Sequence, residues 1–244
     1  METPSFRFSF DVGYKIWQVL ADTVKPALIL EVRNDDDQTI TYHWLDANDG
    51  KEKRFAITGA DWWTTLLRVH HPYLFLERYN DPQNPIDKDL LVYHLVKKRI
   101  DKEFKQFQLS GIQSGKLVGH LPEDRTQIIE YDLDINELEG KPIDDPLVYQ
   151  PGTSGFKTIE EFLALDLPQI GIEYLEYKNY IIIGYYERLG TKFERKLLVM
   201  KGDAEIYHET VDTDLKGFAS GSFFVFNNLL IFIHNSHQIH AIEL

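Results

Sequence analysis

Three short segments of the sequence hold most of the side chains that could bind a ligand, at residues 34–37, 61–63 and 234–237. Carboxylates accept hydrogen bonds or bind a hard cation, and an indole ring stacks on the flat face of a sugar or of another ring. A long polar segment adds one further aromatic side chain. We therefore predict a ligand-binding set that consists of Asp35, Asp36, Asp37, Asp61, Trp62, Trp63, Tyr149, His234 and His237.

An ordinary structural role is open to each of these residues. A polar hairpin turn accounts for residues 35–37 as well as a cation site does. Neighbouring residues of a strand point to opposite faces, so at least one of Trp62 and Trp63 is expected to pack inward. The histidines at positions 234, 237 and 240 are not expected to converge on one ion, as a metal site requires. The sequence therefore predicts no metal ligand.

No recognised catalytic motif accompanies these residues. The chain has no Cys, which excludes thiol catalysis and Cys-ligated zinc. The zinc-protease, nucleophile-elbow and phosphate-loop motifs are also missing from the sequence. We predict no catalytic residue and no cofactor, and we expect a binding protein more readily than an enzyme.

Charge and hydropathy restrict the partners. The chain of 244 residues has 26 Lys and Arg against 39 Asp and Glu, a net charge of −13. Such an excess of acid opposes binding to a phosphate backbone, so no nucleic-acid partner is expected. No apolar run approaches the roughly 18 residues of a membrane span, and the N-terminal segment lacks the pattern of a secretory signal. These patterns favour a cytoplasmic protein without a membrane partner, and they leave its oligomeric state open.

Internal repeats predict the architecture. Residues 28–34 (LILEVRN) match residues 74–80 (LFLERYN), and residues 229–235 (LLIFIHN) form a third copy. An apolar run that ends in Asn is typical of a strand that enters a hairpin turn. Further strand ends recur at intervals of about 40 to 50 residues, which is the length of a four-stranded propeller blade. Two of them, at residues 45–51 and 133–141, continue into nearly the same polar turn.

The repeats resemble the blades of quinoprotein-like and WD-like β-propellers over nearly the whole chain. The Asp-Trp-Trp segment at residues 61–63 also resembles a bacterial family of unknown function, which implies no activity. The propeller resemblance implies an all-β fold in a single domain, residues 1–244, with five four-stranded blades. It further implies that residues 13–20 form a strand that pairs with the C-terminal blade, with Trp17 in its core. A β-sandwich or barrel remains the alternative.

Residues 144–169 depart from the strand pattern. This segment contains Pro146, Pro151, Gly152 and Gly155, followed by Thr158 three residues before Glu161. A Thr and a Glu at that spacing form a capping box, which marks the start of a helix. The sequence therefore predicts an insertion of a long loop and one short helix, and we expect this insertion to be dispensable for folding.

Two functional hypotheses follow from the predicted blades. The loops after the second strand and after the fourth strand of each blade lie on one rim, where the predicted ligand-binding residues would gather. The first hypothesis is a non-catalytic binding or scaffold protein that engages a protein or a small ligand, such as a sugar, at this rim. The alternative is a carbohydrate hydrolase or lyase, in which a pair of rim carboxylates acts on a sugar held by an indole ring.

Overall fold

The computed structural model describes residues 5–133 and 140–244, which form 21 strands and one helix. The fold is all-β, as predicted. Contacts divide the chain into two compact units: the middle unit, Tyr14–Lys141, and the end unit, Met1–Gly13 with Pro142–Leu244. The single domain over residues 1–244 stays a prediction. Residues 134–139, which include most of the turn predicted at residues 133–141, lie outside the described residues.

The middle unit contains three antiparallel sheets, each with its strands in chain order. The first sheet comprises β2 (Lys15–Asp22), β3 (Ala27–Asn34), β4 (Thr39–Asp46) and β5 (Glu52–Phe55). The second comprises β6 (Thr64–His70), β7 (Tyr73–Tyr79), β8 (Lys88–His94) and β9 (Arg99–Phe104). The third comprises β10 (Gln108–Gln113), β11 (Lys116–Leu121) and β12 (Asp124–Asp132).

Buried apolar runs explain why the repeated segments become inner strands. In β3, residues 27–33 are all buried, and β7 is buried over residues 73–77. A strand that is buried on both faces reads as a continuous apolar run, which is the pattern of both repeats. The core between the first and second sheets includes Ile29, Tyr42 and Leu74. The predicted hairpins after residues 28–34 and 74–80 are confirmed, because β3 pairs with β4 and β7 pairs with β8.

The end unit contains two antiparallel sheets and the helix. The fourth sheet comprises β14 (Leu147–Tyr149), β15 (Ile172–Tyr177), β16 (Tyr180–Leu189), β17 (Lys192–Lys201) and β18 (Ala204–Leu215), in that order. The fifth sheet comprises β1 (Phe6–Asp11), β13 (Ile143–Asp144), β19 (Phe223–Phe226), β20 (Leu229–His234) and β21 (Gln238–Glu243). Its strand order is β1-β21-β20-β19-β13.

An N-terminal strand does pair with the C-terminal strand, but it is not the predicted one. β1, at Phe6–Asp11, pairs with β21, whereas β2, at Lys15–Asp22, opens the first sheet of the middle unit. A turn separates β1 from β2: the Asp11 carboxylate accepts a hydrogen bond from the Gly13 N–H at 2.8 Å, and Gly13 has a φ of 78°. This left-handed backbone favours glycine. The prediction for residues 13–20 was therefore wrong.

Trp17 is half-exposed, at 51%, and does not occupy a core. The register between β2 and β3 shifts between Ile16 and Gln18, so a β-bulge turns the Trp17 side chain outward. The indole ring instead lies over the Arg33 guanidinium, 4.4 Å from its central carbon. The expectation of a buried Trp17 was wrong because local register cannot be read from alternation alone.

The helix in residues 144–169 is a structural part of the end unit. α1 (Ser154–Leu163) begins at the N-cap Thr153, whose hydroxyl accepts a hydrogen bond from the Phe156 N–H at 3.3 Å. Thr158 is therefore inside the helix, and the capping box was assigned one turn too late. Phe156 and Ile159 are buried in a core with residues of β15, β16 and β17. The segment before the helix also supplies β13 and β14. These contacts speak against a dispensable insertion, and its removal stays a prediction to be tested. At 10 residues, α1 leaves the described part of the chain without a helix that could cross a membrane.

A buried glutamate joins neighbouring sheets in each unit. The Glu31 carboxylate on β3 accepts hydrogen bonds from the Leu66 N–H at 2.6 Å and from the Thr65 hydroxyl at 2.9 Å, both on β6. In the end unit, the Glu173 carboxylate on β15 accepts hydrogen bonds from the Gly221 and Ser222 N–H groups ahead of β19. Burial raises the pKa of Glu173, and these hydrogen bonds oppose the shift.

His240 is a buried histidine in the end unit that predicts a dependence of stability on pH. Its ring stacks on Phe232 with centroids 5.3 Å apart, and among the described residues neither ring nitrogen has a hydrogen-bond partner. Burial lowers its pKa to about 4, from an ordinary 6.5. As the pH falls below 6.5, the His240 imidazole takes up a proton in the unfolded chain but stays neutral in the folded chain. The contribution of neutral His240 to the free energy of unfolding is therefore complete above pH 6.5 and is lost as the pH falls toward 4.

We expect the His240→Phe variant to lose less stability than the parent between pH 7.5 and pH 5, by about 1–2 kcal/mol. Urea denaturation at both pH values measures the difference. His237→Gln is the control, because the His237 side chain is 39% exposed. An equal loss in the parent and in His240→Phe would contradict the assignment.

Candidate ligand-binding cleft

The middle unit has a cleft of about 450 Å³ at one end of its first and second sheets. Antiparallel pairing puts the connections β2–β3 and β4–β5 at one end of the first sheet, and β6–β7 and β8–β9 at one end of the second. These two ends meet at the cleft, because Lys25, His71 and Lys98 all line it. The lining residues are Lys25, Pro26, Ala27, Trp44, Asp46, Lys53, Arg54, Phe55, His71, Tyr93, Leu95, Val96 and Lys98. We call this set the cleft.

Aromatic rings form the floor of the cleft. Trp44 and Tyr42 are two residues apart on β4, and their partners on β5 are Lys53 and Phe55, so all four side chains share one face of the sheet. The Phe55 ring stacks on Tyr93 of the second sheet, with centroids 6.2 Å apart and planes 14° apart. The floor therefore joins the two sheets and offers flat apolar surface to a ligand.

Cationic side chains surround this floor. Lys25, Lys53, Arg54 and Lys98 line the cleft together with a single carboxylate, Asp46. In the described part of the chain, none of the four cations has a carboxylate within 4.0 Å. A chain of net charge −13 thus gathers, at one place, four cations that lack a carboxylate partner among the described residues, and the cleft attracts anions.

The four cations are not equivalent. Lys53 shares the face of Trp44, whereas Arg54 pairs with His43 on the opposite face of β5. Burial lowers the pKa of His43, and the Arg54 charge adds to that shift while Glu52 opposes it. All four side chains are exposed, but Lys25 and Lys98 lie in the turns β2–β3 and β8–β9 and not on a strand. Lys53 is therefore the cation that the sheet itself directs to the floor.

A buried aspartate orients the one imidazole of the cleft. Asp22 is fully buried, and one of its carboxylate oxygens accepts the N–H groups of Val24 and Lys25, both at 3.1 Å. The other oxygen lies 3.1 Å from His71 Nδ1. This contact fixes the proton on Nδ1 and leaves Nε2 for the cleft. The ring edge of His71 meets Trp44, with centroids 6.4 Å apart.

The predicted residues of the middle unit lie at the opposite end of the same sheets. Asp35, Asp36 and Asp37 are exposed in the β3–β4 turn, where Asn34 donates a hydrogen bond to the Asp37 carboxylate at 2.9 Å. The Asp61 carboxylate accepts a hydrogen bond from the Trp63 N–H at 3.0 Å ahead of β6. These contacts give both acidic segments a role in turns.

Arg33 holds this end of the sheets together. Its guanidinium is buried, with the central carbon 4.4 Å from the Trp17 ring centroid and 5.1 Å from that of Trp62, and it pairs with Glu31 at 2.6 Å. It also donates hydrogen bonds to the carbonyl oxygens of Trp62 and Thr64, both at 3.2 Å. Trp62 therefore packs on Arg33, and Trp63, at 46%, is the exposed member of the pair.

The other predicted residues belong to the end unit. Tyr149 lies on β14, with its ring 6.1 Å from that of Tyr174. His234 Nδ1 is 3.1 Å from the Gln238 side-chain oxygen, and His237 Nδ1 is 3.1 Å from the Asp11 carboxylate. The N–H of Gly13 is the main cause that lowers the pKa of Asp11, and Gln238 and His237 add to the shift. Within the described residues, no three His, Asp or Glu side chains meet as metal ligands would.

Sequence reasoning missed every residue of the cleft. The available signals were two basic runs in an acidic chain, at residues 51–54 and 97–99, and the alternation of Tyr42 and Trp44 on β4. Each run alone is typical of a solvated turn. Their meeting on an aromatic floor follows from the pairing of the two sheets.

Comparison with known proteins places a family match on this part of the chain. Residues 21–101 match the family model of DUF4905, a domain of unknown function. The matched segment includes every lining residue of the cleft, and also residues 61–63, which carried the resemblance to a family of unknown function. No curated protein sequence matches the chain.

Two solved structures are similar to the chain at low sequence identity. BamB from Moraxella catarrhalis is 8% identical and has a TM-score of 0.31, over 93% of this chain and 84% of that one. The acylaminoacyl peptidase of Pyrococcus horikoshii is 14% identical and has a TM-score of 0.29, over 94% of this chain. This chain spans 36% of the peptidase chain.

Proposed function

We propose that the protein is a non-catalytic binding protein that takes a small organic anion in the cleft of the middle unit. One observation carries the proposal: four cations without ion-pair partners among the described residues line an aromatic floor, in a chain of net charge −13. It is the convergence of these four cations on one cleft that distinguishes them from the other lysines of the chain. Their convergence without partners is what an anion site requires.

The dimensions of the cleft suit a small ligand. Its volume of about 450 Å³ lies within the range of roughly 300–1,000 Å³ that is usual for ligand pockets. The rings of Trp44, Phe55 and Tyr93 supply apolar contact, and the cations supply attraction. At about 0.1 M salt the attraction is screened beyond roughly 10 Å, so it acts chiefly on a ligand already at the mouth.

The hydrolase alternative has no support at the cleft. Glycoside hydrolysis uses two carboxyl groups about 5 to 10 Å apart, and Asp46 is the single carboxylate that lines the cleft in the described residues. The opposite end of the sheets, with Asp35, Asp36, Asp37 and Trp63, is a second proposal for a neutral or cationic ligand. The exposure of these four side chains is its support.

Three ligands with one ring and different charges test the proposal. Benzoate, benzamide and benzamidine are titrated into the ¹⁵N-labelled protein, and the indole N–H of Trp44 is followed by NMR. We expect benzoate to shift this signal at the lowest concentration, benzamide to be weaker and benzamidine to be weakest. Equal responses to all three, or a preference for benzamidine, would refute an anion site.

Charge reversal supplies the control. Lys53→Glu should weaken benzoate binding by about tenfold or more, because it places a like charge beside the ligand. Lys51→Glu makes the same change two residues away, at a side chain that pairs with Asp49 and does not line the cleft. An equal loss in both variants would show that only the net charge of the protein matters.

We further propose that the five sheets are the blades of a propeller. The sequence repeats, the antiparallel order of every described sheet and the pairing of β1 with β21 support this arrangement. A crystal structure of the full chain tests it directly.

A further inference from the structure

Two features of the cleft narrow the class of anion that it binds. The cleft has more positive charge than a monocarboxylate would neutralise, and it contains an imidazole that is held in one orientation. Lys25, Lys53, Arg54 and Lys98 oppose the single carboxylate of Asp46, before any charge on His71 is counted. We propose that the ligand of the cleft is a planar ring that carries a phosphate monoester. This proposal rests on the anion-binding function and names the class of anion.

Charge and hydrogen-bonding capacity favour a phosphate over a carboxylate. A phosphate monoester carries a charge of about −1.5 to −2 at pH 7 and offers three strong acceptor oxygens, whereas a carboxylate carries −1 and offers two. Each lysine ammonium can donate up to three hydrogen bonds. Lysines from two different connections, Lys25 and Lys98, and from the strand β5, Lys53, approach the same cleft. Three lysine ammonium groups match the three acceptor oxygens of a phosphate monoester, whereas a carboxylate offers two.

His71 adds a reason that concerns protonation. Asp22 holds Nδ1, so Nε2 is the nitrogen that meets a ligand. The second pKa of a phosphate monoester is near 6, so its monoanion and its dianion are both present near pH 7. A protonated Nε2 can donate to the dianion, and a neutral Nε2 can accept from the P–OH of the monoanion. A carboxylate is fully ionised near pH 7 and can use only the first of these arrangements.

The floor accounts for the ring of the ligand. Lys53 is the cross-strand partner of Trp44, and the His71 ring lies 6.4 Å from Trp44 between centroids, so the polar groups are neighbours of the indole ring. A phosphate held by Lys53 and His71 places an attached ring over Trp44 and Phe55. Offset aromatic stacking at about 4.5–7 Å between centroids then contributes to binding.

The test compares three ligands by calorimetric titration of the full chain at pH 7 and about 0.1 M salt. These are phenyl phosphate, benzoate and inorganic phosphate. We expect phenyl phosphate to bind about tenfold or more tightly than either of the others, since each lacks one half of the recognised group. His71→Gln and Lys53→Gln should each weaken phenyl phosphate by about fivefold or more, and Lys51→Gln should change it less than about twofold. Thermal melting of each variant checks that it folds, and Lys53→Gln carries the test if His71→Gln does not.

The outcomes separate this proposal from the one on which it rests. If benzoate binds as tightly as phenyl phosphate and Lys53→Gln weakens both, the cleft binds anions but the phosphate class is wrong. If inorganic phosphate binds as tightly as phenyl phosphate, the aromatic floor plays no part and the proposed ring is wrong. If phenyl phosphate, benzoate and inorganic phosphate all fail to bind, the anion-binding function itself is wrong.

Discussion

The Phe156→Ala variant is expected to lose about 3–5 kcal/mol of the free energy of unfolding, the usual cost of removing a buried phenylalanine. Phe156 is 1% exposed and packs with Ile159, Ile183 and Leu198. Alanine leaves a cavity between the helix and the fourth sheet that neighbouring side chains fill only in part. Urea denaturation followed by circular dichroism measures the loss.

Phe162→Ala is the matched control for this experiment. Phe162 lies on the same helix but is 51% exposed, so its replacement should change stability by about 0.5 kcal/mol or less. Similar small losses in both variants would mean that α1 is a peripheral insertion after all. A large loss for Phe156→Ala alone shows that the helix closes the core of the end unit.

The Arg33→Ala variant is expected to lose a similar amount, about 3–5 kcal/mol, because it leaves the buried Glu31 carboxylate without its cation. Glu31 is fully buried, and its remaining partners are the Leu66 N–H and the Thr65 hydroxyl. A buried anion with only neutral partners is costly. The rings of Trp17 and Trp62 also lose their contact with the guanidinium.

Two further variants separate charge from packing. Glu31→Gln in the Arg33→Ala background should recover part of the loss, because it removes the uncompensated charge. Trp17→Ala should cost only about 1 kcal/mol, since the ring is half-exposed and contributes mainly a cation–π contact to Arg33. If Trp17→Ala cost as much as Arg33→Ala, stacking rather than ion pairing would stabilise this end of the sheets.

The sequence predicted the inner strands well and the chain's irregular positions poorly. Residues 28–34 and 74–80 are strands because a long apolar run is stable only where both of its faces are buried, between two packed layers. The N-terminal strand was misplaced because residues 6–11 and residues 15–22 both have strand character. A turn at Gly13 and a bulge at Trp17 decide which of them pairs with the C-terminal strand.

The helix start shows the same limit. Thr153 and Thr158 are both acceptable N-caps by local chemistry, and Thr158 has the better partner in Glu161. The earlier start is favoured because it places Phe156 and Ile159 together on the core-facing side of the helix. Tertiary burial outweighs a single side-chain hydrogen bond, and that burial cannot be read from the sequence alone.

The candidate cleft could not be predicted because its residues are ordinary when read one by one. Lys25 and Lys98 are 73 positions apart in the sequence, and each lies in a polar turn. Only the packing of the first sheet on the second brings those turns to one end. The acidic and aromatic residues of the middle unit that were predicted to bind a ligand instead cap turns or pack on Arg33, at the end of the sheets opposite the cleft.

The first and second sheets are fastened to each other at both ends, by Glu31 to β6 at one end and by Asp22 to His71 at the other. Separating the sheets would break the hydrogen bonds of both carboxylates and expose the apolar core between the sheets to water, so partial opening is about as costly as unfolding. The two sheets should therefore melt as one cooperative step and share similar amide exchange rates. A ligand would then enter and leave by rotation of the exposed lysine side chains, on the nanosecond scale, over a floor that does not move.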